Sequence, residues 1–140
     1  MDFQEKWIKE GADKEMNSFA RESGRLIAGI HADLSEEEVQ RLGRNVERKG
    51  DMSNSQIRNI YGEIKRIQMI GNFNKAKTSF YLLKPKLAYA FGRNSTNSGL
   101  KLFKKIFDEA SQYVIDDKTY NNFCNLMEAI LAYHRAYGGK

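Results

Sequence analysis

The sequence predicts an all-α protein, a compact bundle of about five to six helices. Three observations carry that expectation. A single proline interrupts 140 residues, apolar residues recur at three- and four-residue spacing instead of alternating, and Ser-x-x-Glu or Ser-x-x-Gln pairs stand just ahead of apolar runs, where they cap helix starts. With 41% hydrophobic and 29% charged residues, the balance is that of a chain with a core, and the length suits one domain over residues 1–140.

The first thirty residues show a loose helical pattern through Phe3, Trp7, Ile8, Met16, Phe19, Ala20, Ile27 and Ile30, weakened by Gly11, Gly24 and Gly29. Ser35 with Glu38 forms a capping box for a short helix whose one side is Val39, Leu42 and Val46, closed by Arg48, Lys49 and Gly50. Ser53 with Gln56 forms a second capping box, and Ile57, Ile60, Tyr61, Ile64 and Ile67 trace an apolar stripe behind it. After GNFN, the run AKTSFYLLKPKLAYAFGR supplies core positions at Phe80, Leu83, Leu87 and Ala90 or Phe91. Pro85 has no N–H to donate, so this helix is expected to kink or divide there. NSTNSG, residues 94–99, reads as a linker. Leu100, Phe103, Phe107 and Ala110 then line one helical face, with Lys101, Lys104 and Lys105 on another. A last helix from about Asp116 to Tyr137, stopped by Gly138 and Gly139, is apolar around so much of its circumference that it should be the centre of the bundle.

Charge is distributed unevenly. Between Ser53 and Lys105 stand eleven Lys and Arg against one acid, Glu63, whereas residues 1–52 carry nine bases and twelve acids. A segment charged in this way suits a polyanion. Arg58 and Lys65 are seven residues apart and share a helical face with Gly62 between them. A glycine there would let a phosphate backbone approach closely, and a solvated charged face with an incidental glycine reads equally well. Lys86 and Arg93 repeat the spacing with Tyr89 between them, where the ring offers either a plane for a base or a core or interface tyrosine.

Catalytic constellations are scarce. His31 and His134 are the only histidines, and His134 is expected to be a core or helix-end residue near the C-terminal dipole. Cys124, beside Phe123 and Leu126, reads as a buried inert thiol. The carboxylate pairs Asp108 with Glu109 and Asp116 with Asp117 sit near helix ends, which accounts for them. There is no Gly-rich phosphate loop and no metal-ligand spacing, so no enzyme activity, cofactor or metal is expected. MDFQEKWIKEG has acids where a signal peptide has bases, and no apolar run approaches the length of a membrane span. A cytoplasmic protein with no membrane partner is the expectation.

SNSQIRNIYGEI, LLKPKLAYAFGR and FCNLMEAILAYHRAYGGK, in that order and at these separations, resemble the small helical subunit of type III-A CRISPR effector complexes, the Csm small subunit. The matching motifs cover residues 52–140, leaving 1–52 as a variable, partly acidic N-terminal part. The resemblance implies a non-catalytic bundle that stacks in several copies along a guide RNA and target RNA duplex in antiviral defence. Its partners would be target RNA, neighbouring copies of itself, and the large and backbone subunits, the last of which holds the guide. Carried over, the RNA-binding positions are Ser55 and Arg58 from the Ser-Gln-Ile-Arg motif and Lys84, Lys86 and Arg93 from the Lys-Pro-Lys to Gly-Arg motif; the charge pattern adds Lys65. Phe91 departs from the small residue expected before Gly-Arg. Two rivals remain beside this reading. One is a free-standing basic helical RNA- or DNA-binding protein, and the other a small nuclease dependent on His31 or His134.

Overall fold

The computed structural model describes residues 3–93 and 96–138, apart from the side chains of Phe3 and Asn54. Among these residues are seven α-helices and no strand: α1 (Phe3–Glu10), α2 (Lys14–Ile27), α3 (Glu36–Leu42), α4 (Asn54–Gln68), α5 (Phe73–Arg93), α6 (Ser98–Ser111) and α7 (Asp117–Ala136), with one turn of 3-10 helix at Gly43–Asn45. The all-α expectation holds, with more helices than five to six. The surplus arises in the first thirty residues. Gly11, at φ +101°, ends α1, and the Asp13 carboxylate starts α2 by accepting from the Met16 N–H at 2.8 Å. The same carboxylate accepts from Trp7 Nε1 at 3.1 Å and pairs with Lys6 at 3.0 Å. One side chain thus caps α2 and ties α1 to it.

Both capping boxes form as expected, Ser35 with Glu38 and Ser53 with Gln56, because each depends only on residues within one turn. A third lies at Asp116 with Thr119 at the start of α7. Pro85 does not divide its helix, and α5 runs unbroken from Phe73 to Arg93. Pro85 is exposed, so the carbonyl one turn earlier that it leaves unpaired can turn to water. The expected linker at residues 94–99 is shorter than its composition suggests. Asn94 and Ser95 lie outside the described residues, as does Gly139, but Asn97 caps α6 and Ser98 and Gly99 form its first turn.

α7 is the centre of the bundle. It packs against α1, α2, α4 and α6, and Tyr120, Phe123, Leu126, Met127, Ile130 and Leu131 are all buried. Phe80 of α5 reaches it too, its ring centroid 5.2 Å from that of Tyr120 and 5.4 Å from that of Phe123. Trp7, Ile8, Ala20 and Ile27 belong to the same apolar cluster, so the acidic N-terminal part is built into the core. α2 crosses α7 closely at Gly24. A Cβ there would lie 2.6 Å from the His134 backbone nitrogen and 2.8 Å from the Ile130 carbonyl oxygen. Gly99 is equally constrained, its missing Cβ 2.7 Å from the carbonyl oxygens of Gly50 and Ile27.

The strand-like segment 48–52 is threaded through this crossing. Lys49 N–H donates to Gly29 O at 2.8 Å, Met52 N–H to Ile27 O at 2.9 Å, and Gly99 N–H to Gly50 O at 2.7 Å. Arg48 bridges Ala28 O at 3.0 Å and Tyr137 O at 2.6 Å. His134, 0% exposed, completes the join with Nε2 at 3.1 Å from Met52 O. A carbonyl can only accept, so Nε2 carries the hydrogen and Nδ1 is left without a partner. Burial, reinforced by the charges of Arg48 and Arg135 and only partly offset by the Met52 bond and nearby Asp51, holds the ring below its ordinary pKa. Of the two expected roles, core residue or helix-end residue beside the dipole, the structure shows the first: His134 is a buried core residue joining α7 to the segment before α4.

Two outcomes test this packing. Gly24→Ala should lower stability by about 1–3 kcal/mol, because backbone must move to admit the methyl. Gly62→Ala, whose Cβ would meet nothing within 4 Å, should raise it by about 0.5–1 kcal/mol through helix propensity; urea-unfolding midpoints measure both. For His134, the depressed folded-state pKa means the unfolded chain takes up the proton first as pH falls below its ordinary value of 6.5. The stability it supplies is complete above that pH and is lost progressively toward the folded pKa. His134→Gln should flatten this part of a stability profile recorded from pH 7.5 to 5, and an unchanged slope would contradict the assignment.

Candidate nucleic-acid interface

α4 turns Ile64 and Ile67 into the core, with Ile57, Ile60 and Tyr61 packed partly against it. The opposite side carries Ser55, Arg58, Asn59, Gly62 and Arg66, all exposed. This follows from period 3.6: Ser55, Arg58, Gly62 and Arg66 fall within about a quarter turn of one another. The space over Gly62 is open. Lys65, on the flank toward α7, is already engaged. Its ammonium lies 3.3 Å from Glu128 and 5.5 Å from the Tyr61 ring centroid. Burial alone would lower its pKa, but the bonds to Glu128 and Tyr61 outweigh that and hold it above its ordinary value.

Glu63, the one acid between Ser53 and Lys105, faces the other flank. Arg66 binds it at 2.9 Å and Lys86 of α5 reaches it at 3.5 Å. The Arg66 hydrogen bond, then the charges of Arg66 and Lys86, keep its carboxyl below the ordinary range despite some desolvation. α5 itself carries five bases and no acid. Lys86 and Arg93 share its α4-facing flank, and the Arg93 guanidinium lies 5.8 Å from the Tyr89 ring centroid, with Tyr89 69% exposed. Lys84 does not join them. Two residues along a helix turn through about 200°, which puts Lys84 on the flank of Lys77, away from the Glu63 contact. Of the six residues singled out by sequence, Ser55, Arg58 and Lys65 lie on α4, Lys86 reaches it through Glu63, Arg93 shares the helical face of Lys86, and Lys84 is set apart.

Two further cations belong to this surface and were not legible as such. Arg66 is one. Arg135, near the C-terminal end of α7, is the other, exposed and facing Arg58 across a cleft of about 260 Å³ between α4 and α7. Ile57, Tyr61 and Leu131 contribute apolar walls, and Glu128 stands at the rim. Among the described residues neither Arg58 nor Arg135 is in a salt bridge. Arg135 lies seven residues after Glu128 on the same helical face, a phase signal that existed in the sequence but had no meaning without the position of α4.

The remaining polar candidates have structural work. Asp117 accepts from the Phe73 N–H, Asp108 pairs with Lys104 at 2.6 Å, and Glu109 accepts from Gln4 Nε2 at 2.7 Å. His31 is exposed and bonded to Lys49 O at 3.2 Å. Burial raises the Cys124 thiol to about 11, far from a thiolate at neutral pH. Among the described residues no group of three or more His, Cys, Asp or Glu side chains is placed to hold a metal, and no helix is long and apolar enough to cross a membrane.

Comparison with protein families matches the chain to the family described as Csm2 Type III-A, over residues 31–140. It includes α3 to α7 and begins upstream of the motifs that carry the resemblance. No curated protein and no solved structure matches the chain. The family is a non-catalytic small subunit of the type III-A CRISPR complex. The chain belongs to the Csm2 family of type III-A small subunits.

Proposed function

We propose that this subunit stacks in several copies along the guide RNA and target RNA duplex of its effector complex in the cytoplasm, in antiviral defence, and touches the target strand through its sugar–phosphate backbone. The observation that carries the reading is the segregation of unpaired cations. Arg58, Lys84 and Arg93 on α4 and α5 are exposed and free of salt bridges among the described residues, while the acids beside this surface are engaged, Glu63 by Arg66 and Lys86 and Glu128 by Lys65. Cations on helix surfaces meet phosphates without reading base edges, and in RNA-guided recognition pairing with the guide supplies the sequence specificity. Ser55 adds a hydroxyl beside Arg58, and Lys65 contributes field while bonded to Glu128. Neighbouring copies, the large subunit and the backbone subunit are the protein partners this reading requires.

Assembled complexes test it. Arg58→Ala and Arg93→Ala should each weaken target RNA binding by about fivefold and to the same extent on unrelated target sequences, and each should make the log affinity against log salt slope shallower by about one. Lys65→Ala should cost less, because its charge is already compensated by Glu128. Fluorescence anisotropy over several target sequences and salt concentrations reads all three. Losses that vary with target sequence, or an unchanged salt slope, would remove the backbone reading. Purification of the protein from its host without a guide-bearing complex would favour a free-standing nucleic-acid binder.

A further inference from the structure

The cleft between α4 and α7 has more chemistry than a phosphate contact uses. Its two guanidinium groups, Arg58 and Arg135, stand on opposite helices without salt-bridge partners among the described residues. The single acid at the rim, Glu128, is engaged by Lys65 at 3.3 Å. Between them the walls are apolar or aromatic: Ile57, Tyr61, Leu131 and Ala132. His134 also contributes to the lining, and its Nδ1 is a buried acceptor with no partner. The volume, about 260 Å³, falls just under the ~300 Å³ lower bound of ordinary small-molecule pockets, which suits a single ring system and little else.

Two arginines lining one cleft without salt-bridge partners among the described residues favour an anion, and walls of this kind favour a flat, weakly polar body attached to it. An unpaired nucleotide has both parts. We infer that the cleft takes one unpaired nucleotide of the RNA strand, with its phosphate held between Arg58 and Arg135 and its base against Tyr61, Leu131 and Ala132. This inference rests on the RNA reading proposed above and goes beyond it, because backbone contact alone needs no cleft. Stacking and apolar contact tolerate every base, since each has a π-face. The site therefore adds affinity for unpaired strand without adding sequence preference.

The experiment uses the full chain and two six-nucleotide single-stranded RNAs of identical phosphate count, one carrying bases throughout and one with ribose-only abasic positions at its centre. At low salt the base-bearing strand should bind about tenfold more tightly, in line with one base-stacking contact. Ala132→Phe fills the cleft from an exposed position on α7 and leaves every charge in place, so it should bring the ratio close to one. The double variant Arg58→Ala with Arg135→Ala should weaken both strands. A far-ultraviolet circular dichroism spectrum and urea midpoint check that Ala132→Phe is folded, and the two-strand comparison on the unmodified protein stands without it. Equal affinity for the two strands, an intact preference in folded Ala132→Phe, or no binding of either strand overturns the inference. Equal but salt-dependent binding leaves the backbone reading standing, and that reading fails separately through target-dependent losses in assembled complexes. A cleft occupied by a side chain of another subunit would give either equal affinity or no binding.

Discussion

Burial of α7 on nearly every side is the constraint from which the other features follow. A twenty-residue helix with apolar residues around most of its circumference cannot face water, so the chain must wrap it. Four helices do so, and the fit is closest where Gly24 lets α2 lie against the backbone of Ile130 and His134. That contact places α2 so near that the 48–52 segment, hydrogen-bonded to the end of α2 and to Gly29, passes directly beside His134. The segment in turn fixes where α4 starts. The register of the α4 surface is thus set by a glycine on α2 and a histidine on α7.

The electrostatic consequence is a separation of bases that are used from bases that are not. Lys65, Arg66, Lys86 and Lys104 each have a carboxylate within 4 Å, whereas Arg58, Lys75, Lys77, Lys84, Arg93, Lys101, Lys105 and Arg135 form no salt bridge among the described residues. Exposed ion pairs contribute little to stability, so the paired group is better understood as muting part of the surface than as holding the fold together. The unpaired group repels itself and gains when a polyanion arrives and releases its counterions. Stability is supplied elsewhere, by the aromatic and aliphatic core around Phe80, Phe107, Phe123 and Tyr120, which leaves the cationic faces free to be suited to binding.

Features that depend on one helical turn could be read from the sequence, and features that depend on two elements could not. The capping boxes at Ser35 and Ser53 and the apolar stripe from Ile57 to Ile67 are local, and they appear where spacing puts them. The division of the first thirty residues was also local, but the Asp13 cap was hidden behind three glycines that read as general weakness. Lys84 and Lys86 looked like one motif because they are close in sequence; a two-residue step on a helix separates them by more than half a turn. Arg135 was obscured by its surroundings, since a helix that reads as wholly buried gives no reason to single out its exposed phase. Only the placement of α4 against α7 turns Arg58 and Arg135 into a pair.

The composition of that cleft bears on whether the RNA contact proposed above would depend on base sequence. Discrimination among bases requires donors and acceptors arrayed against their edges, and a buried polar group left unpaired by the wrong base supplies the energy difference. Here the walls offer Ile57, Leu131 and Ala132 and the ring of Tyr61, while the unpartnered Nδ1 of His134 is buried. Apolar walls reject none of the four bases. On the proposed reading, the affinity contributed by the cleft would be nearly the same for every base, which suits a complex whose choice of target is delegated to pairing with a guide.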